Sequence, residues 1–264
     1  ASHYRPDWLA LATGVVPPDG YLMQAVHGDL AIHVAIETCA GTQPHPDLAL
    51  LLSTSGSTGS SKLVRLSYAG LAANAASIVA YLGLRRDDRA ITTLPMAYSF
   101  GMSILNSHLE AGASMVLTDE SLVGRGFWQL AQAQGITSLS GVPATFEMLR
   151  RIGLERFRLD RLRMLTQAGG RLRDALIQEF LDASDRLGLE FFVMYGQTEA
   201  GPRISYVPPG QLRSKIGSIG IAVPGGELGL DGTSGELVFS GPDVMLGFAT
   251  QRERSVFREL IRIS

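Results

Sequence analysis

Apolar residues recur three or four positions apart along two long stretches, the spacing of one face of an α-helix. In Ser67–Leu84 they are Leu71, Ala75, Ile78, Val79 and Leu82; in Arg173–Leu187 they are Leu176, Ile177, Phe180, Leu181 and Leu187. Gly83, Gly112, Gly135, Gly153 and Gly188 each stand just past a segment of this kind, where glycine relieves the left-handed residue that ends a helix. Short, largely apolar runs lie between the helical stretches, at Ala90–Leu94, Ala113–Leu117, Ile136–Leu139, Met164–Thr166 and Phe191–Met194. Runs of this kind read as strands buried on both faces. Helix and strand therefore alternate from about Leu48 to Tyr195, which predicts an α/β chain with a parallel-rich layered sheet and flanking helices.

The pattern changes after Tyr195. Helical spacing gives way to Pro202, Pro208, Pro209, Gly217, Gly220, Pro224, Gly225 and Gly226. Glu227–Leu230 and Glu236–Ser240 read as two strands joined through Asp231-Gly232, a hairpin signal. A β-rich lobe is expected to begin after about residue 215. The expected organisation is an N-terminal part over 1–46, an α/β core over 47–215 and the start of a β-rich subdomain over 216–264. Ile32–Ile36 reads as a strand and Gly41–Pro46 as a linker.

Composition narrows the function. The chain has 264 residues, of which 45% are apolar and 18% charged, with a formal net charge of −2. That length supports a core without disulfides or structural metals. So small a charge argues against a dedicated nucleic-acid binder. The one cysteine, Cys39, excludes an intramolecular disulfide and a cysteine-based zinc site; it reads as an inert small residue in a reducing cytosol, so a cytoplasmic location is expected. Apolar runs such as Leu48–Leu52 are far too short to span a bilayer, and no secretory leader is visible. The chain opens on Ala1, which fits processing, excision or a fragment.

The most distinctive stretch is Ser53-Thr54-Ser55-Gly56-Ser57-Thr58-Gly59-Ser60-Ser61-Lys62, directly after the apolar run Leu48–Leu52. Small residues let backbone N–H groups converge on an anion, and a lysine adds a point charge for phosphate. The same composition fits a flexible Gly/Ser linker, but its place straight after a buried strand favours a functional loop. It is not a Walker loop, because Lys62 comes three residues after Gly59. A serine–lysine hydrolase built on Ser60, Ser61 and Lys62 is a further reading, although adjacency in sequence does not place the lysine on the serine oxygen.

A second stretch, Tyr195-Gly196-Gln197-Thr198-Glu199, follows the last expected parallel strand, and Gly169-Gly170-Arg171 follows the one before it. Ligands in open α/β sheets bind beyond the carboxyl ends of strands. The two loops offer an aromatic face, close backbone approach, a hydroxyl and a carboxylate at one edge. Taken alone, Glu199 also reads as a solvated loop carboxylate.

These stretches resemble the acyl-adenylate-forming (AMP-binding) superfamily of acyl-CoA synthetases, peptide-synthetase adenylation domains and luciferase. Thr54–Lys62 is similar to its phosphate loop, with Ser61 in place of the usual proline. Tyr195–Glu199 is similar to its Tyr-Gly-x-Thr-Glu, and Gly169-Gly170 to its adenine-side glycine pair. Gly141-Val142-Pro143, Gly217-Ser218-Ile219-Gly220, Gly235-Glu236-Leu237 and Gly241-Pro242 resemble further landmarks in the same order. The likeness covers roughly Asp47 to Ala249. Tyr98 departs from it, standing in Pro95-Met96-Ala97-Tyr98-Ser99-Phe100-Gly101 where the family usually has histidine. Gln251–Ser264 contains neither the family's ribose-binding Thr-Gly-Asp nor its lysine-bearing mobile domain.

The resemblance implies attack of a carboxylate on the α-phosphate of ATP, followed by transfer of the acyl group to a thiol of CoA or of a carrier protein's phosphopantetheine arm. It implies Thr54, Ser55, Gly56, Ser57, Thr58, Gly59 and Lys62 at the β- and γ-phosphates, and Thr198 at the α-phosphate. It implies Gly169, Gly170, Arg171, Tyr195, Gly196 and Gln197 about the nucleotide, and Glu199 on Mg²⁺. Thr198, Glu199 and Lys62 would carry catalysis, and Tyr98, Ser99 and Gly101 would form the substrate pocket for a small carboxylic acid. A non-catalytic nucleotide-binding or assembly module is the alternative. The absent segment implies poor adenylation by this chain alone, with apolar surface uncovered near Leu237–Phe248. Tyr98 and Phe100 also fit core packing. His108 reads as structural, His3 as part of a mobile terminus, and Arg85–Arg89 as a solvated turn.

Overall fold

The computed structural model describes residues 46–54 and 63–249, together with the backbone of strands at 8–12, 21–27, 30–35 and 260–263. The elements begin with strands β1 (Trp8–Ala12), β2 (Tyr21–His27), β3 (Leu30–Ala35), β4 (Leu48–Ser53) and β5 (Leu63–Ser67). Helix α1 (Tyr68–Leu82), β6 (Arg89–Ile91), α2 (Ser99–Glu110), β7 (Ser114–Val116) and α3 (Arg125–Ala133) come next. Then follow β8 (Ser138–Gly141), α4 (Pro143–Ile152), β9 (Met164–Gln167), α5 (Asp174–Leu187) and β10 (Glu190–Tyr195). The last are β11 (Ser205–Val207), α6 (Pro209–Leu212), β12 (Ile221–Ala222), β13 (Glu227–Leu230), β14 (Leu237–Ser240), β15 (Gly247–Ala249) and β16 (Leu260–Ile263).

The expected α/β alternation forms a layered core. Strands β8, β9 and β10 pair in parallel, and β11 and β12 extend that sheet antiparallel. The parallel pair β6–β7 abuts β8, where the Thr137 N–H donates to the Arg89 carbonyl at 2.8 Å. Successive side chains of a strand point to opposite faces. Phe191 and Val193 therefore meet α3, α4 and α5 with Phe127, Phe146 and Phe180. Phe192 and Met194 meet α1 and α2 with Ile78, Phe100 and Ile104. Helices on both faces explain why Phe191–Met194 is apolar on both faces of β10.

Helix ends follow local chemistry. Ser67 caps α1 by accepting the Gly70 N–H at 2.9 Å, and Gly83 ends it with φ 56°. All five glycines expected past helix ends adopt positive φ. Buried His108 presents Nδ1 to the Ile104 carbonyl at 2.8 Å and Nε2 to Ser138 Oγ at 3.2 Å, and burial lowers its pKa. It is a neutral core group.

Three expectations need correction. Leu48–Ser53 does not join the parallel sheet. It pairs antiparallel with β5, which pairs on its other side with β15. The apolar signal of Leu63–Ser67 is interrupted by Arg65, which is buried because its Nη2 donates to the Leu246 carbonyl at 3.0 Å. The small-residue stretch therefore links two antiparallel strands whose ends, Ser53 and Leu63, are partners.

The turn Arg85–Arg89 is not fully solvated either. Asp88 is buried and accepts Arg163 Nε at 2.7 Å and Nη2 at 2.5 Å, tying the start of β6 to the start of β9. Burial raises the Asp88 pKa, but bonds from the Arg163 guanidinium, the Arg85 amide and the Thr137 hydroxyl outweigh it and hold the carboxyl at about 2.

The third correction concerns Leu237–Phe248. None of the large apolar side chains there is exposed, because Phe239 and Val244 are buried with Ala200, Ile204 and Val223, and Leu237 and Met245 pack around them. The expected hairpin forms between β13 and β14, with Asp231 Oδ1 accepting the Thr233 and Ser234 amides at 2.9 and 2.8 Å. Strand β16 pairs with the other edge of β14. Cys39, His3 and residues 41–45 lie outside the described residues.

Candidate active site

The carboxyl ends of β9 and β10 open onto a cavity of about 1100 Å³. The loops after these strands, the end of β4 and the start of α2 surround it. Of the residues singled out in the sequence, Thr54, Tyr98, Ser99, Gly169, Gly170, Arg171, Tyr195, Gly196, Gln197, Thr198 and Glu199 line this one space. Ser55, Gly56, Ser57, Thr58, Gly59 and Lys62 lie outside the described residues. Gly101 is placed elsewhere: it is buried under the chain, where a Cβ would stand 2.2 Å from the Pro95 carbonyl oxygen. Its role is close packing of α2 against the preceding turn, not a cavity wall.

Glycine shapes the cavity at two points. Gly169 has φ 75°, and a Cβ there would come within 2.5 Å of the Tyr98 hydroxyl. At Gly196 a Cβ would fall 1.8 Å from the Pro202 carbonyl oxygen. Gly169 therefore brings bare backbone beside the Tyr98 hydroxyl on the cavity wall, and Gly196 lets the loop after β10 pack against the Pro202 backbone. The Tyr98 ring meets Phe100 edge-on at 6.4 Å; both line the cavity, Tyr98 exposed and Phe100 buried.

Hydroxyls and a carboxylate complete the rim. Ser99 Oγ and Thr198 Oγ1 lie 3.0 Å apart, joining the start of α2 to the loop after β10. Gln197 Nε2 donates to the Tyr195 hydroxyl at 3.0 Å. Glu199 is half-buried, and its backbone carbonyl accepts the Met245 N–H at 2.8 Å. No group of three or more His, Cys, Asp or Glu residues forms a metal cluster among the described residues. A Mg²⁺ site there would draw on Glu199 and on ligand phosphate oxygens, a donor set that Mg²⁺ accepts.

Sequence reasoning missed two polar groups on the wall. Gln167 is fully buried; its Nε2 donates to the Gly170 carbonyl at 2.8 Å, and its Oε1 has no partner. Arg203 is buried over the Phe100 ring, 4.1 Å from its centroid, with Nε and Nη1 unpartnered. Burial lowers the Arg203 pKa, opposed by the nearby Tyr81 and Tyr98. A charged residue between Pro202 and Ile204, inside an otherwise apolar approach to a strand, was the available signal. Behind this wall Asp243 is buried with Asn74 Nδ2 donating to it at 3.0 Å, and burial raises its pKa to about 6 despite that bond.

No helix among the described residues is long and apolar enough to cross a membrane. Residues 16–249 match the family model described as AMP-binding enzyme. The chain is 31% identical over 216 residues to a feruloyl-CoA synthase of Amycolatopsis sp, covering 76% of this chain and 42% of that one. It is 35% identical over 217 residues to an indoleacetate–CoA ligase of Aromatoleum aromaticum, covering 77% and 41%. The chain thus spans less than half the length of these relatives. Its fold is similar to o-succinylbenzoate coenzyme A synthetase of Bacillus subtilis in complex with ATP and magnesium ion, with a TM-score of 0.66 at 25% identity over 75% of this chain and 42% of that one. With the family model matching most of its length and its loops converging on one cavity, this chain belongs to the AMP-binding enzyme family.

Proposed function

We propose that this cavity activates an aromatic carboxylic acid as its acyl-adenylate, using ATP and Mg²⁺, for later transfer to the thiol of CoA. One observation carries the reading. Three separate segments, at Tyr98–Ser99, Gly169–Arg171 and Tyr195–Glu199, converge with Thr54 on one space large enough for a nucleotide and an acid together. The named substrates of the relatives, feruloyl and indoleacetate, support an aromatic acid. The Bacillus subtilis complex supports ATP and Mg²⁺.

A carboxylate oxygen forms the new bond to the α-phosphorus, and the bond to the bridging oxygen breaks as pyrophosphate leaves. Such a displacement depends on positioning and on meeting charge at the phosphorus oxygens. Thr198 and Ser99 place two hydroxyls at one point of the rim for the α-phosphate. Gly169 admits the nucleotide against bare backbone, Gly196 lets the loop after β10 fold tightly on Pro202, and Tyr195 offers a ring face to adenine. Glu199 would hold Mg²⁺, which offsets phosphate charge. Residues 54–62 would serve the β- and γ-phosphates.

Calorimetric titration with Mg-ATP and with AMP, and pyrophosphate–ATP exchange with ferulate, indoleacetate and 2-succinylbenzoate, test the reading. Nucleotide binding weakened by Thr198→Ala supports it. Absence of binding by either nucleotide to a folded chain overturns it.

A further inference from the structure

Two positively polarised groups on the cavity wall meet no anion among the described residues. Arg203 is only 2% exposed, and its buried Nε and Nη1 have no hydrogen-bond partner. The Phe100 ring beneath it offsets part of the cost of burial but offers no acceptor. The Tyr81 hydroxyl, which donates to Met194 Sδ at 3.0 Å, hydrogen-bonds the guanidinium as a neutral partner and supplies no counter-charge. An uncompensated buried cation is costly to keep. The second group is the N-terminus of α2, a helix of 12 residues. Its cap position, Tyr98, supplies no side-chain bond, and its first turn holds no acidic residue. The amides there carry the positive end of the helix dipole.

These groups share one place. Phe100, which lies under the guanidinium, is the second residue of α2. Tyr98, Ser99, Phe100 and Arg203 all line the cavity. Ser99 touches Thr198, the residue proposed for the α-phosphate, so an anion held here lies beside the phosphorus to be attacked. A planar guanidinium matches a carboxylate with two parallel bonds. The Phe100 and Met194 side chains, on the same face of the sheet, suit the apolar body behind a carboxylate better than they suit a polyphosphate.

We propose that Arg203, together with the open N-terminus of α2, binds the carboxylate that is to be activated. This rests on the acid-activating reading above. Arg203 stays protonated throughout. It orients the carboxylate while an oxygen lone pair forms the bond to phosphorus and pyrophosphate departs with the electrons of the bond that breaks.

Thermal unfolding and calorimetry of the wild type, Arg203→Met and Arg203→Lys test this, with ferulate, indoleacetate and 2-succinylbenzoate, their carboxamides, and AMP as probes. At least one acid should stabilise the wild type, and its carboxamide should not. Arg203→Met should weaken that acid's binding on the order of 30-fold or more while leaving AMP affinity unchanged. Without ligand it should melt at the wild-type temperature or above, because an uncompensated charge has been removed. Arg203→Lys should recover part of the acid affinity. Acid binding unchanged in Arg203→Met overturns the proposal, as does a loss of AMP affinity in place of acid affinity. A lower melting point without ligand, unrescued by lysine, would make Arg203 structural. AMP binding with no acid bound by the wild type overturns the carboxylate assignment alone, and absence of both overturns the acid-activating reading as well.

Discussion

The two ends of the central parallel strands solve the problem of buried polar groups in opposite ways. At the amino ends, around Arg89, Ser138, Met164 and Glu190, the charged groups are closed on one another, although the Ser184 hydroxyl at the end of α5 has no partner. Asp88 receives both arms of Arg163, Arg163 Nη2 also reaches the Gly83 carbonyl at 3.0 Å, Thr137 Oγ1 accepts the Arg89 amide at 2.8 Å, and His108 bridges Ile104 and Ser138. At the carboxyl ends, Arg203 and Gln167 keep buried atoms without partners, and glycines hold the backbone open. Half-buried Arg163 and buried Arg203 thus differ in their partners: Arg163 meets a carboxylate, and Arg203 meets none among the described residues. A closed network contributes stability, whereas open donors and acceptors cost stability until a ligand arrives. Placing the open set beyond the carboxyl ends agrees with where α/β sheets bind ligands.

Substitutions at each end sharpen the contrast. Gly196→Ala is expected to have the largest effect, because the new Cβ would meet backbone at 1.8 Å. It should cost about 3 kcal/mol by urea unfolding and abolish nucleotide binding. Retained binding would show that the loop after β10 adjusts freely.

Asp88→Ala should cost about 2 kcal/mol, since it takes from Arg163 its nearest carboxylate and leaves Glu190 at 3.7 Å, yet leave AMP affinity unchanged. A carboxyl held below its ordinary value contributes stability that is present above pH 4 and lost as pH falls through about 2. Wild-type unfolding should therefore show that loss on acidification, and Asp88→Ala should lack it. A changed AMP affinity would break the separation of the two ends.

Asp243 acts with the opposite sign. Its carboxyl is raised to about 6, so the stability linked to its proton is full below pH 4 and lost as pH rises through 6. Asp243→Asn should remove that dependence and stabilise the chain at pH 8 by about 2 kcal/mol. An unchanged profile between pH 4 and 8 would mean that this carboxyl does not titrate there.

The smallest effect on stability is expected for Glu199→Gln, within about 0.5 kcal/mol, while Mg-ATP affinity falls and AMP affinity without metal does not. Equal Mg²⁺ dependence in both proteins would remove Glu199 from the metal site.

Much of this was legible without coordinates. The two strand-end loops carry unusual glycines beside polar residues, and both open onto the cavity. Leu63–Ser67 was not read as a strand because Arg65 breaks its apolar run, and only bonds to residues more than 180 positions away make its burial tolerable. Gly101 looked like part of a pocket motif, but the Pro95 carbonyl above it turns it into a packing residue.

The chain by itself determined the α/β alternation, the helix ends at Gly83 and Gly188, the hairpin at Asp231-Gly232 and the loops placed beyond strand ends. These depend on side-chain period and on turn chemistry within a few residues. Tertiary structure alone decided which charges find partners. Asp88 and Arg163 stand 75 positions apart and meet, while Arg203 meets the Phe100 ring and the Tyr81 hydroxyl but no carboxylate among the described residues. An arginine has the same formal charge in either setting. Its worth is set by what the fold brings within about 3 Å of its donors, and that distance is not written in local spacing.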